Sequence, residues 1–264
     1  MTGRWLNVAL AVYVGLIFTF VFAPIIFSLI FSFNSQRFPT IPLGEFSTEW
    51  YVKIFNDPDV WTAVRNSLIV SSSTAVLATL LGFCTAYTDF RYNFRFKGPY
   101  LALILLPPTI PLIIMALAML AWLSRIGMSG QLWSIILAHS VMTAPFAMAI
   151  IRLRLHQMDP DLEAAAWNLG GNEWQAMRHV IVPFCTPAIV SALCLTAAVS
   201  FDEFAVAWFV SGLNKTVPIV ILEIVQGNID PTVNAIGTFV FLTSMTLVIL
   251  AQLLFISRQI KSHS

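Results

Sequence analysis

Residues 159–183 read DPDLEAAAWNLGGNEWQAMRHVIVP. This is the longest polar interval between two long apolar runs, yet its signals are helical. Asp159 is a good N-cap, and Pro160 suits the first helical position, where a missing N–H costs nothing. Asp161 and Glu163 put negative charge in the first turn, which the helix dipole favours. Gly170-Gly171 supplies the stop. A second helix starts near Asn172, with Trp174, Met177 and Val180-Ile181 at helical spacing. The stretch therefore predicts a helix, a glycine turn and a second helix running into the apolar segment at Pro183. Ala164, Ala165 and Ala166 allow another surface to approach closely, and Trp167 and Leu169 offer apolar anchors. Composition alone fits equally a hairpin that only joins its neighbours.

The neighbours are membrane spans. Of the 264 residues, 58% are hydrophobic and 10% charged, against about 25% charged in soluble domains. Such a chain cannot cover a water-facing surface, so lipid must be its solvent over much of its area. A bilayer core takes roughly 20 apolar residues in a helix. Six stretches qualify: 6–31, 64–87, 99–123, 132–151, 183–210 and 233–257. Pro107, Pro108 and Pro111 interrupt the third, either as a kink or as a break lining a cavity. The first is too long for a signal-peptide core and lacks a small-residue cleavage site, so it reads as a retained span.

Orientation follows from the basic residues. With the N-terminus in the cytoplasm, nine of the 14 Lys and Arg fall on that side: Arg4, Arg91, Arg95, Lys97, Arg152, Arg154, Arg178, Arg258 and Lys261. The other five are Arg37, Lys53, Arg65, Arg125 and Lys215. The expected architecture is an all-α integral membrane protein. It has six transmembrane helices, both termini cytoplasmic and a single transmembrane domain over 1–264. The outer segment 34–59 includes a short amphipathic stretch at Thr48–Tyr51.

Ser200-Phe201-Asp202-Glu203-Phe204 places two acids inside the fifth span, where each costs roughly 2.5–3.5 kcal/mol. Asp202 lies 19 positions past Pro183, about 28 Å along a helix at 1.5 Å per residue, and so near the outer end. One reading is that the acids face a watery path and pair with a cation. The other is that they cap a helix end or hold a neighbouring helix. Trp208 and Phe209 either stack on an amine or sit in the interfacial aromatic belt. Glu223 is a weaker candidate of the same kind.

Several classes lack support. No GxxxxGK[ST] occurs, so the chain has no P-loop. There is no HExxH or other paired metal-ligand motif. Cys84, Cys185 and Cys194 stand singly, as apolar packers. His139 in the fourth span reads as packed or hydrogen-bonded, and Ser71–Thr74 as helix-contact residues. No basic-aromatic interleaving points to nucleic acid. A six-span channel and an intramembrane enzyme remain as alternatives, the latter without a convincing Ser/His pair.

The hairpin resembles the EAA loop of ABC importer permeases, a pattern of E-A-A, three residues, G, nine residues, then I-x-L-P. Aligned on Gly170, Val180-Ile181-Val182-Pro183 falls on the final element, and Ala165 and Ala166 match the two alanines. Ala164 stands at the motif's glutamate. Glu163, one residue earlier, matches the first acid of the LEEAA form in polyamine permeases. SFDEFAVAWFVSG and VPIVILEIVQGNIDPTVNAIGT are similar to the polyamine (spermidine/putrescine) branch. The matches there are Asp202, Phe209–Gly212, Pro218, Pro231, Asn234-Ala235 and Thr238.

The resemblance implies the type I ABC importer permease fold (MetI-like) in a bacterial inner membrane. It implies a heterodimer with a second homologous permease, two copies of a cytoplasmic ATPase and a periplasmic binding protein. It makes Glu163, Ala164, Ala165, Ala166, Trp167, Leu169 and Gly170 the coupling helix that meets the ATPase. The chain would be a non-enzymatic subunit without its own cofactor, ATP and Mg being held by the ATPase. The cargo would be a polyamine or a related organic amine, with an amino-acid derivative, a sugar or an ion as the alternative.

Overall fold

A computed structural model describes residues 2–38, 42–159, 161–227, 231–243 and 245–246. Helices dominate it. In chain order they are α1 (Thr2–Phe31), α2 (Glu49–Phe55), α3 (Pro58–Arg91), α4 (Lys97–Leu105), α5 (Leu112–Arg125), α6 (Leu132–Leu155) and α7 (Asp161–Asn168). Then come α8 (Glu173–Ala176), α9 (Val182–Asp202), α10 (Ala205–Val210), α11 (Val217–Gly227) and α12 (Thr232–Thr243). The chain forms two compact units, Met1–Trp61 with Val220–Ser264, and Thr62–Ile219.

Among the described residues, four helical stretches are long and apolar enough to cross a bilayer: Trp5–Phe31, Pro58–Arg91, Leu132–Leu155 and Glu173–Asp202. The third expected span, 99–123, is not one helix. Pro107 and Pro108 donate no backbone hydrogen bond, so α4 stops at Leu105 and a 3₁₀ turn covers Pro107–Thr109. Ile110 and Pro111 are extended, and α5 starts afresh at Leu112. The fifth expected span is also divided. Glu203 leaves the helical region at φ −73°, ψ 119°, which separates α9 from α10. Of the sixth, 232–243 is helical, and 247–257 lies outside the described residues.

In the first unit α1 presents apolar side chains outward along its length, from Trp5 to Ile30. Ser28 Oγ donates to Asn234 Oδ1 (3.2 Å), tying α1 to α12. Phe239 of α12 meets Phe55 edge-on at 5.3 Å. The segment before α2 is pinned by Trp50, whose Nε1–H donates to the Asn34 carbonyl (2.8 Å).

The second unit is built on α6, which packs against α9 and α3. Its far-end core joins Val70, Leu123, Ile135, Val206 and Val210. A separate core at the hairpin end joins Ala86, Met148, Ile151, Leu155, Ile181 and Cys185. Small residues set the spacing, as expected where helices gain by van der Waals contact rather than by hydrophobic exclusion. A Cβ at Gly82 of α3 would lie 2.6 Å from the Met148 amide nitrogen on α6.

Candidate functional site

Two places in the second unit gather the chemically notable side chains: the hairpin formed by α7 and α8, and the break between α9 and α10. They lie at opposite ends of α9.

The hairpin is closed by local signals. The Asp161 N–H donates to Asp159 Oδ1 (3.0 Å), and the Leu162 N–H to the Asp159 carbonyl. At the other end of α7, the Gly171 N–H reaches the Ala166 carbonyl (3.0 Å) and the Gly170 N–H the Trp167 carbonyl (2.9 Å). This pair is a Schellman stop. It needs a left-handed residue, and Gly170 has φ +83°. Asn172 then caps α8 reciprocally. Its Oδ1 accepts from the Gln175 N–H (2.8 Å), and its N–H donates to Gln175 Oε1 (2.9 Å). A π turn over Met177–Ile181 carries α8 into α9.

The seven hairpin residues named from sequence divide by environment. Ala164 and Ala165 are exposed, and Leu169 is 89% exposed. Ala166 is partly buried. A groove of about 480 Å³ runs between the helices, lined by Leu162, Ala165, Leu169, Gln175 and His179. Glu163 turns the other way and is only 5% exposed. Its Oε1 lies 3.3 Å from Arg91 Nε at the end of α3. Trp167 sits over the same guanidinium, 4.8 Å from its ring centroid. The hairpin thus offers small and apolar groups outward and keeps its conspicuous acid inside.

Beside it lies a second charged cluster. Asp89, two residues before Arg91, is buried. Arg152 Nε donates to Asp89 Oδ2 (2.6 Å), and Lys97 Nζ lies 3.3 Å from Oδ1 and donates to the Asp89 backbone carbonyl. His156 Nε2 approaches at 3.5 Å. The sequence reading used Arg91, Lys97 and Arg152 only to orient the chain. Their pairing with Asp89 and Glu163 joins residues up to 72 positions apart, for which no local pattern exists.

At the break the two acids have opposite surroundings. Asp202, the last residue of α9, is exposed and makes no hydrogen bond or ion pair with the described residues. Glu203 is buried at 9% exposure. Its Oε2 accepts from the Val206 and Ala207 N–H groups (2.9 and 3.2 Å), satisfying orphan donors at the start of α10. The same oxygen lies 3.4 Å from Nε2 of His139, a fully buried residue of α6. The other His139 nitrogen, Nδ1, is 2.8 Å from Ser200 Oγ. Glu203 thus adopts the capping and helix-holding arrangement. Trp208 is partly exposed and packs on Phe204 at 5.8 Å. Phe209 packs against the far-end core. Glu223 is half-buried on α11.

No group of three or more His, Cys, Asp or Glu suited to a metal ion occurs among the described residues. The arrangement presents the Asp202 carboxylate at the end of a broken helix and, some 21 helical residues away, an exposed groove lined by small and apolar groups.

Residues 78–261 match the family model described as the inner membrane component of binding-protein-dependent transport systems. The spermidine/putrescine transport system permease protein PotC of Haemophilus influenzae is 34% identical, over 90% of this chain and 93% of its own. The putrescine transport system permease protein PotI of Escherichia coli is 31% identical, over 84% and 82%. Among solved structures, a bacterial alginate ABC transporter crystallised with an alginate-pentasaccharide-bound periplasmic protein matches at TM-score 0.72. It is 18% identical, over 97% of this chain and 95% of that one. The chain therefore belongs to the inner-membrane permease family of binding-protein-dependent ABC importers.

Proposed function

We propose that this permease carries polyamines, putrescine or spermidine, inward across a bacterial inner membrane. The observation that carries this reading is the 34% identity, over nearly the whole chain, to a spermidine/putrescine permease. The Asp202 carboxylate supports it, because an exposed acid with no counter-charge among the described residues is open to a protonated amine. The reading includes six spans with both termini cytoplasmic. It also includes a second homologous permease, two ATPase copies bound at the hairpin and a periplasmic protein that delivers the cargo. ATP and Mg sit on the ATPase, and the permease itself performs no chemistry.

In this scheme the exposed hairpin residues Ala164, Ala165 and Leu169 meet the ATPase, while Gly170 fixes the turn that presents them. Asp202 meets the amine, and the exposed Trp208 of α10 is offered to stack on it. Glu203 shapes the break and does not touch the cargo.

The test is uptake of radiolabelled putrescine and spermidine by cells lacking other polyamine importers but expressing this permease with its partner subunits. Uptake of at least one amine is expected, lost in Asp202→Asn while ATP hydrolysis by the purified complex persists. Failure of the intact complex to import either amine removes the polyamine assignment. Normal uptake by the variant removes the role of Asp202.

A further inference from the structure

The last turn of α3 is gripped from two sides. Asp89 is fixed to α4 through Lys97 and to α6 through Arg152. Arg91 is fixed to α7 by the Glu163 carboxylate at 3.3 Å and by Trp167 packed on its guanidinium. Residues two apart on a helix point about 200° away from each other, so these attachments do not compete.

Glu163 is the acid that sequence comparison would send outward to a partner. Its burial argues otherwise. A carboxylate with 5% exposure has exchanged water for the guanidinium, and pulling the two apart leaves a buried charge without its counter-charge. Such separations are costly, whereas moving the pair together is not. α7 also packs on α8 and the π turn within the same hairpin.

We propose that Arg91 is a positioning residue for α7, and that the Arg91–Glu163–Trp167 clasp carries movement of the hairpin into α3. The neighbouring Asp89 cluster spreads that movement to α4 and α6. The inference rests on the reading of the hairpin as the ATPase-docking element. It assigns Glu163 to holding the hairpin from within and leaves the exposed apolar residues to contact the ATPase.

The experiment uses the assembled transporter in lipid nanodiscs. Deuterium uptake is compared without nucleotide and with ATP plus vanadate. In the wild type, trapping is expected to alter exchange over both 161–169 and 86–92. Glu163→Gln and Arg91→Gln should still co-purify with the ATPase and keep the change over 161–169, but lose it over 86–92. The exchanged pair Arg91→Glu/Glu163→Arg should recover part of the 86–92 response. Loss of ATPase co-purification in Glu163→Gln alone would make that acid a direct contact and overturn the clasp. So would an unchanged 86–92 response in both single variants, or an exchanged pair no better than its parents. A wild-type chain that never retains an ATPase overturns the docking reading, and the clasp with it.

Discussion

Asp202 and Glu203 differ by one methylene and one position in the chain, and that one position decides their work. Asp202 ends α9 and faces outward. Glu203 turns inward, where two N–H groups of α10 and the His139 ring surround it. Glu203→Ala leaves the Val206 and Ala207 N–H groups unsatisfied in a buried site and removes the acceptor beside the His139 ring. Leaving a buried donor unsatisfied costs about 1–3 kcal/mol. A clear fall in the detergent melting temperature is therefore expected for Glu203→Ala, with little change for Asp202→Asn. Equal thermal stability of the two variants would contradict the assignment. Sequence reading located both acids because charge inside an apolar run is conspicuous. It could not divide their roles, since the deciding neighbours, His139 and the α10 backbone, come from elsewhere in the fold.

At the scale of elements, helix starts and stops were readable where the signal is local. Asp159, Gly170 and Asn172 each act on backbone groups within a few residues, and the hairpin forms where they place it. The proline run marked a disturbance in the third span, but not that the helix would divide into α4, a 3₁₀ turn and α5. That outcome depends on neighbours able to accept the freed backbone. Helix spacing was equally hidden, because a glycine in an apolar run does not announce what it faces. At Gly82 the facing group is the α6 backbone near Met148, less than 3 Å from where a Cβ would stand. Backbone cannot swing aside as a long side chain can. Gly82→Leu is expected to force α3 and α6 apart and lower the yield of folded, monodisperse protein on size exclusion. A wild-type elution profile and melting temperature would count against the close crossing.

Across the whole molecule, apolar length and composition were the most legible features, because the bilayer imposes them residue by residue. Four long apolar helices follow from that constraint directly. Orientation rests on the nine-to-five division of basic residues and predicts a definite result. Alkaline phosphatase fused after Arg95 should be inactive, and fused after Gly130 active. The reverse pattern would invert the chain in the membrane. One small irregularity bears on the entire path between the two functional ends. The π turn at Met177–Ile181 holds one more residue per turn than the helix around it. The extra residue is absorbed within that turn, so deleting one residue there would restore a regular ladder and leave the phase of Asp202 almost unchanged. The same deletion inside α9 would rotate everything beyond it by about 100°, so these five positions are where the path from hairpin to break can lose a residue without turning its far end.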